Sequence, residues 1–305
     1  MRAFLLGASR RPRVRRFIER APISRRVVRR FVAGDCTDDA VQTTRGLIDS
    51  GLRVTLDHLG EDTTEPVHAE ATTKAYRELL RRLDDAGLAT GAEVSVKLSA
   101  VGQALDPELS LANAHAICAA AASASTTVTL DMEDHTTTDA TFETLRRLRV
   151  DYPWVGAVVQ SYLRRTEADC RDLATEGSRV RLCKGAYKEP ESVAYQRRED
   201  VDASYVRCLD VLMRGSGYPM VATHDPDLIS EAEALVRATG RAEGSYEFQM
   251  LFGIRPAEQL RLAMAGHMVR IYVPYGEEWY GYLMRRLAER PSNVGFFVRA
   301  IRSRD

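Results

Sequence analysis

Short apolar, β-branched runs bounded by polar turns recur along the chain. They occupy residues 52–58 (LRVTLDH), 94–99 (VSVKLS), 127–132 (TVTLDM), 155–161 (VGAVVQS), 179–184 (RVRLCK), 218–224 (YPMVATH), 245–251 (SYEFQML) and 268–274 (MVRIYVP). Such runs read as strands. Between them lie amphipathic stretches of helical length at residues 69–88, 109–122, 138–149, 201–213, 226–239 and 256–265. Eight strands alternating with helices over about 250 residues predict an α/β fold, a (β/α)8 TIM-like barrel with parallel strands. Residues 1–34 read as a basic N-terminal arm of extra helices, and residues 35–305 as the barrel domain. A doubly wound sheet needs fewer units. No strand is followed by G-x-G-x-x-G, and no G-x-x-x-x-G-K-[ST] occurs, which disfavours a Rossmann half.

Composition adds little until its distribution is considered. The 305 residues are 45% hydrophobic, ample for one large core. Lys+Arg and Asp+Glu both total 43, so no global charge argues for nucleic acid. The first thirty residues, however, hold eleven arginines and a single acid, Glu19. That segment reads as an arm folded on the domain, a contact for an anionic membrane surface, or an organellar transit peptide. Phe4, Leu5 and Leu6 are too short a run for a secretory core, and no run approaches membrane-spanning length. Five scattered cysteines without a C-x-x-C pair point to free thiols in a reducing compartment.

A barrel of this kind builds its site from residues at the C-terminal ends of strands. Those ends carry Asp57 and His58; Lys97 and Ser99; Asp131, Met132, Glu133 and Asp134; Gln160; Arg181, Lys184, Gly185, Ala186 and Tyr187; Thr223, His224 and Asp225; Glu247 and Gln249; Arg270 and Tyr272. Lys97 interrupts an apolar strand, and a buried lysine is costly unless paired, with Asp131 its natural partner. The acids 131, 133 and 134 are also compatible with a divalent cation or with capping the next helix. His224 reads equally as a satisfied core histidine, Cys183 as an apolar filler, and Tyr187 and Tyr272 as rim packing. Beyond the last strand, Tyr282, Arg285, Arg286 and Glu289 share one helical face.

Seven motifs in unbroken order together resemble proline dehydrogenase, in its short bacterial form, over residues 35–290. They are VSVKLSA (94–100), LDMED (130–134), VQSY (159–162), RLCKGAY (181–187), ATH (222–224), YEFQML (246–251) and RIYVPYG (270–276) followed by YLMRRLAE (282–289). The resemblance implies FAD-dependent oxidation of L-proline to Δ1-pyrroline-5-carboxylate. Arg285 and Arg286 match the substrate-carboxylate pair, joined by Lys97. Asp131 lies in the same cluster, Tyr272 packs on the substrate ring and Tyr187 lies near it. Met132, Gln160, Arg181, Lys184, Gly185, Ala186, Thr223 and His224 match cofactor contacts. The resemblance further implies a membrane quinone as electron acceptor, a cytoplasmic protein with a peripheral contact to the inner face of the membrane, and a separate pyrroline-5-carboxylate dehydrogenase downstream. Tyr272 favours proline over hydroxyproline. Two positions depart from the pattern: Cys183 replaces a plain apolar residue, and Asp225 stands where relatives often carry Asn.

The residue types suit that chemistry. Two guanidinium forks bind a planar carboxylate in a bidentate way that lysine cannot copy. Clustered cations favour the neutral substrate amine by like-charge repulsion, with Asp131 moderating them. Arg181 is assigned the stabilisation of negative charge on the reduced cofactor. Two other readings stand beside this one: a lyase with Lys97 or Lys184 as Schiff-base nucleophile, and a non-catalytic anion-binding barrel.

Overall fold

The structure, a computed structural model, describes residues 28–60 and 63–283. Arg285, Arg286, Glu289 and most of the basic arm lie outside the described residues. Eight parallel strands form one sheet: β1 (Arg53–His58), β2 (Ala92–Val96), β3 (Val128–Leu130), β4 (Ala157–Gln160), β5 (Arg179–Cys183), β6 (Tyr218–Ala222), β7 (Glu247–Leu251) and β8 (Val269–Tyr275). Their order is β3-β2-β1-β8-β7-β6-β5-β4. The ring closes between β3 and β4 through a parallel bridge from Thr129 to Gly156, where Leu130 N–H donates to the Gly156 carbonyl at 2.9 Å. A Cβ on Gly156 would stand 2.7 Å from Thr129 Oγ1, so a larger residue there would force the Thr129 side chain to shift.

The helices are α1 (Thr37–Asp49), α2 (Pro66–Asp85), α3 (Pro107–Ser123), α4 (Thr138–Asp151), α5 (Thr166–Leu173), α6 (Arg198–Arg214), α7 (Pro226–Thr239) and α8 (Pro256–Met264). The sequence reading contains neither α1 nor α5. Helix α5 is only eight residues long, too short for its apolar period to show. Helix α1 packs on β1 and β8, filling the outer place between first and last strands. A further helix begins at Trp279; its first residues pack with Val28, Phe31, Val32 and Leu59 above the barrel.

The principal core lies between the strands' outward faces and the helices, with Val54, Leu56, Val94, Val96, Leu182, Val221, Phe248 and Ile271 facing Tyr76, Leu79, Leu80, Ile117, Leu145, Tyr205 and Leu209. The inward face is different. Alternate positions place Glu93 and Ser95 of β2, Arg179 and Arg181 of β5, Glu247 and Gln249 of β7 and Arg270 and Tyr272 of β8 inside the ring. The barrel therefore has an apolar coat and a polar axis.

Candidate active site

The axis is a stack of alternating charges. At its base Glu93, fully buried, pairs with Arg179 at 2.6 Å and accepts from Thr55 Oγ1 at 2.7 Å. Burial opposes its ionisation, but Arg179, Arg270 and Arg181 outweigh that and hold its pKa far below the carboxylate range. Beside it, Glu247 accepts from Arg270 Nε at 2.8 Å and from Gln249 Nε2 at 2.6 Å.

One layer up lies Arg181, 5% exposed. Its Nη1 donates to Asp131 Oδ1 at 2.7 Å and Ser95 Oγ at 2.9 Å, its Nη2 reaches Glu93 at 3.4 Å, and its Nε donates to Gln249 Oε1. The guanidinium carbon lies 5.3 Å from the centre of the Tyr272 ring. Arg181 is thus fixed on every side, which suits a preorganised positive charge.

At the mouth, Tyr272 O–H donates to Asp131 Oδ2 at 2.7 Å, and Ser95 O–H donates to Asp131 Oδ1 at 2.6 Å. Lys97 follows β2 directly and lies 3.6 Å from Asp131. Its closer partner is Asp57 at the end of β1, which accepts from Nζ with both oxygens at 2.8 and 2.9 Å. Lys97 thus pairs with the expected Asp131 but more closely with Asp57, and Asp131 also serves Arg181, Ser95 and Tyr272. Burial raises the pKa of Asp57; Lys97 opposes the shift and Asp131 adds to it. Burial acts on Asp131 too, yet Lys97 and Arg181 bring its pKa below the ordinary value. Burial, reinforced by Asp131 and Asp57, pushes Tyr272 well above the usual phenol range.

The neighbouring acids take separate directions. Glu133 accepts from Ser99 N–H at 3.1 Å and from Ser99 Oγ at 2.5 Å. Asp134 accepts from Thr136 N–H at 2.9 Å, turning the chain into α4. Neither joins Asp131 in a cation site.

Around the rim, Gln160 Nε2 donates to the Glu133 carbonyl at 2.8 Å, and Met132, next to Asp131 in sequence, is buried. His224 Nε2 accepts from Leu251 N–H at 2.8 Å, which assigns the proton to Nδ1. The His224 carbonyl accepts from Arg255 at 2.7 Å, and Thr223 Oγ1 accepts from Asp225 N–H at 3.1 Å. Lys184 lies between Asp202 and Asp225, the latter at 2.9 Å. Asp225 also caps α7 and pairs with Arg198 at 2.9 Å. The departure from Asn therefore supplies an anion for two cations. Cys183, its pKa pushed up to about 11 by burial, stays a protonated thiol and fills space. Gly185 has φ +105°, and a Cβ there would collide with the Tyr162 ring at 2.3 Å. Ala186 and Tyr187 beyond it are exposed.

The structure thus gathers Lys97, Asp131, Arg181 and Tyr272 into one cluster and places Met132, Gln160, Lys184, Gly185, Ala186, Tyr187, Thr223 and His224 around its mouth. Sequence reasoning gave no role to Asp57, Ser95 or Glu93. One signal was present: in AEVSVKLS the polar residues Glu93, Ser95, Lys97 and Ser99 alternate with apolar ones, so the first three share the inward face.

A closed ring with a charged cluster at its strand ends defines a (β/α)8 barrel with a polar site at its mouth. The sequence model of the family "Proline dehydrogenase" matches residues 40–299. The chain is 40% identical to proline dehydrogenase of Deinococcus radiodurans over 279 residues, covering 89% of each. It is 37% identical to proline dehydrogenase 1 of Bacillus subtilis over 273 residues, covering 90% of each. In the crystal structure of proline utilization A from Bdellovibrio bacteriovorus the same fold recurs, with TM-score 0.81 and 22% identity, over 92% of this chain and 34% of that one. The chain belongs to the proline dehydrogenase family of oxidoreductases.

Proposed function

We propose that this chain oxidises L-proline to Δ1-pyrroline-5-carboxylate with FAD as cofactor and a membrane quinone as final acceptor. The observation that carries the reading is the layered cluster of Lys97, Asp57, Asp131, Arg181 and Tyr272 at the barrel mouth, in a chain of this family. The donor set suits a flavin: the Gln160 carboxamide, the Lys184 cation, the Thr223 hydroxyl and the His224 ring N–H stand at the ends of successive strands, with the Arg181 cation one layer below. FAD, when bound, supplies the hydride acceptor and a route for two electrons to the quinone.

In the reaction the proline nitrogen loses a proton, the C5–H bond breaks with its electron pair, and a C5–N double bond forms. Lys97, with Arg285 and Arg286 outside the described residues, holds the substrate carboxylate. Tyr272, fixed by its bond to Asp131, presents its ring to the substrate ring, and Tyr187 stands at the exposed rim. Asp131 organises the site, because both its oxygens already accept hydrogen bonds. The bidentate hold of Asp57 on Lys97 speaks against a Schiff-base nucleophile there. The basic arm is assigned the peripheral contact with an anionic membrane surface, and the product passes to a separate pyrroline-5-carboxylate dehydrogenase.

The test is an anaerobic absorbance spectrum of the purified protein before and after L-proline. A flavin spectrum that bleaches on addition is expected. No flavin after reconstitution with FAD, or flavin that proline leaves oxidised, overturns the reading.

A further inference from the structure

Three loops at the C-terminal face meet on one side chain outside the cluster described above. Glu189 lies in the β5–α6 loop, its side chain 3% exposed. It accepts from the backbone N–H of His135 at 2.9 Å and from His135 Nδ1–H, both in the β3–α4 loop. It also accepts from Tyr162 O–H in the β4–α5 loop at 3.3 Å. The Tyr162 ring is the surface against which Gly185 is packed, and Tyr162 N–H donates to the Lys184 carbonyl at 2.9 Å. Gln196 Nε2 donates to the Glu189 carbonyl at 3.2 Å, and a bridge from Leu163 to Ala194 continues the tie.

The consequence is geometric. The segment with Lys184, Gly185, Ala186 and Tyr187 hangs between β5 and Glu189. The segment with Met132 hangs between β3 and His135. Glu189 joins the far ends of both, and Gln160 joins β4 to the second through the Glu133 carbonyl. A buried carboxylate accepting three hydrogen bonds, two from one residue, is a stiff link. A site that must hold a large planar ligand within a fraction of an ångström needs supports of this sort.

We infer that Glu189 is a positioning residue: with His135 and Tyr162 it sets the spacing of the two loop segments that flank the cofactor site, and so governs flavin affinity and placement of Tyr187. This inference rests on the flavin reading above. The side-chain partners of Glu189 among the described residues are His135 and Tyr162, outside the charged axis.

The experiment uses the full chain and three variants: Glu189→Ala, Glu189→Gln and His135→Ala. Each is stripped of flavin and titrated with FAD by fluorescence, and the reconstituted forms are assayed with proline. Glu189→Ala is expected to weaken FAD binding by about tenfold, the equivalent of about one charge-assisted hydrogen bond. Its KM for proline should rise, with a smaller fall in kcat at saturating flavin. His135→Ala should show a weaker form of the same pattern, and Glu189→Gln should recover much of the affinity because its amide oxygen still accepts from His135. Variants that melt earlier yet keep parental FAD affinity and KM overturn the inference. If Glu189→Ala does not fold, the same comparison in Glu189→Gln and His135→Ala decides, and parental FAD affinity in both is the overturning result. Parent protein that binds no FAD defeats the functional reading instead, which separates the two failures.

Discussion

Lys97 and Asp57 show what a single buried ion pair commits the molecule to. Asp57 is 2% exposed, and burial already places its pKa above the ordinary 3.8 despite the lysine. Replacing Lys97 with Met removes the opposing charge and drives that pKa higher. The unfolded chain still ionises near 4. The folded variant therefore holds a proton that the unfolded chain releases, and stability is lost as pH rises from about 4 to the raised value. Lys97→Met is expected to cost about 3–5 kcal/mol at pH 8, the usual penalty for orphaning one partner of a buried pair. The cost should narrow towards pH 4, and the double variant with Asp57→Asn should recover most of it. Thermal melts at pH 5 and pH 8 test this; an equal loss at both would mean packing, not charge, had been removed. The sequence made Lys97 conspicuous, since a lysine inside an apolar strand demands a partner. It pointed to Asp131 and not to the closer Asp57, because both acids lie at the ends of strands adjacent to β2 and the choice depends on Asp131 already serving Arg181, Ser95 and Tyr272.

Helices and strands were unequally legible. The starts of α7 and α8 follow from Pro226 and Pro256, since proline is preorganised for the first helical turn. The same signal stands at Pro66 and Pro107, two or three residues before the first periodic apolar residue, so apolar period alone places the starts of α2 and α3 late. The loop ties through Glu189 were invisible, because they join residues 27 and 54 positions apart on different loops. So was the support beneath α6. Arg241, just past α7, sends its guanidinium to the carbonyls of Leu212, Met213, Gly215, Gly217 and Ser245 at 2.6–3.3 Å. It satisfies the last carbonyls of α6 and the turn into β6, where a cation also suits the helix dipole. Arg241→Ala should cost about 2–4 kcal/mol, as several buried carbonyls lose their donor at once. Arg241→Lys should restore only part, since an ammonium cannot fork. Because this corner lies at the N-terminal end of β6, away from the site, KM and kcat should stay parental below the melting transition. Urea unfolding and steady-state assay of the same samples separate the two effects.

At the scale of the whole barrel, the polar axis is the feature that joins stability to chemistry. Asp57, Glu93, Asp131 and Glu247 interleave with Lys97, Arg179, Arg181 and Arg270, so an interior crowded with charge is close to neutral. The mouth keeps its cations because acids beneath them balance the stack, and Glu93 is the lowest link, holding three arginines at once. Its folded pKa lies far below the ordinary 4.5, so the unfolded chain is the first to take up protons as acid is added. The stability Glu93 contributes is complete above about pH 5 and is lost as pH falls through 4.5 towards the folded value. Glu93→Gln should therefore lower stability by about 3–5 kcal/mol at pH 7, with the gap to the parent closing below pH 4.5. The variant should also lose turnover, since Arg181 would keep its hydrogen bonds to Asp131 and Gln249 but lose the carboxylate below them. Melting curves from pH 7 to pH 3.5, beside turnover at pH 7, test both halves. A stability gap that does not change with pH would show that Glu93 acts by shape. Intact turnover would show that the upper axis holds Arg181 without support from the base.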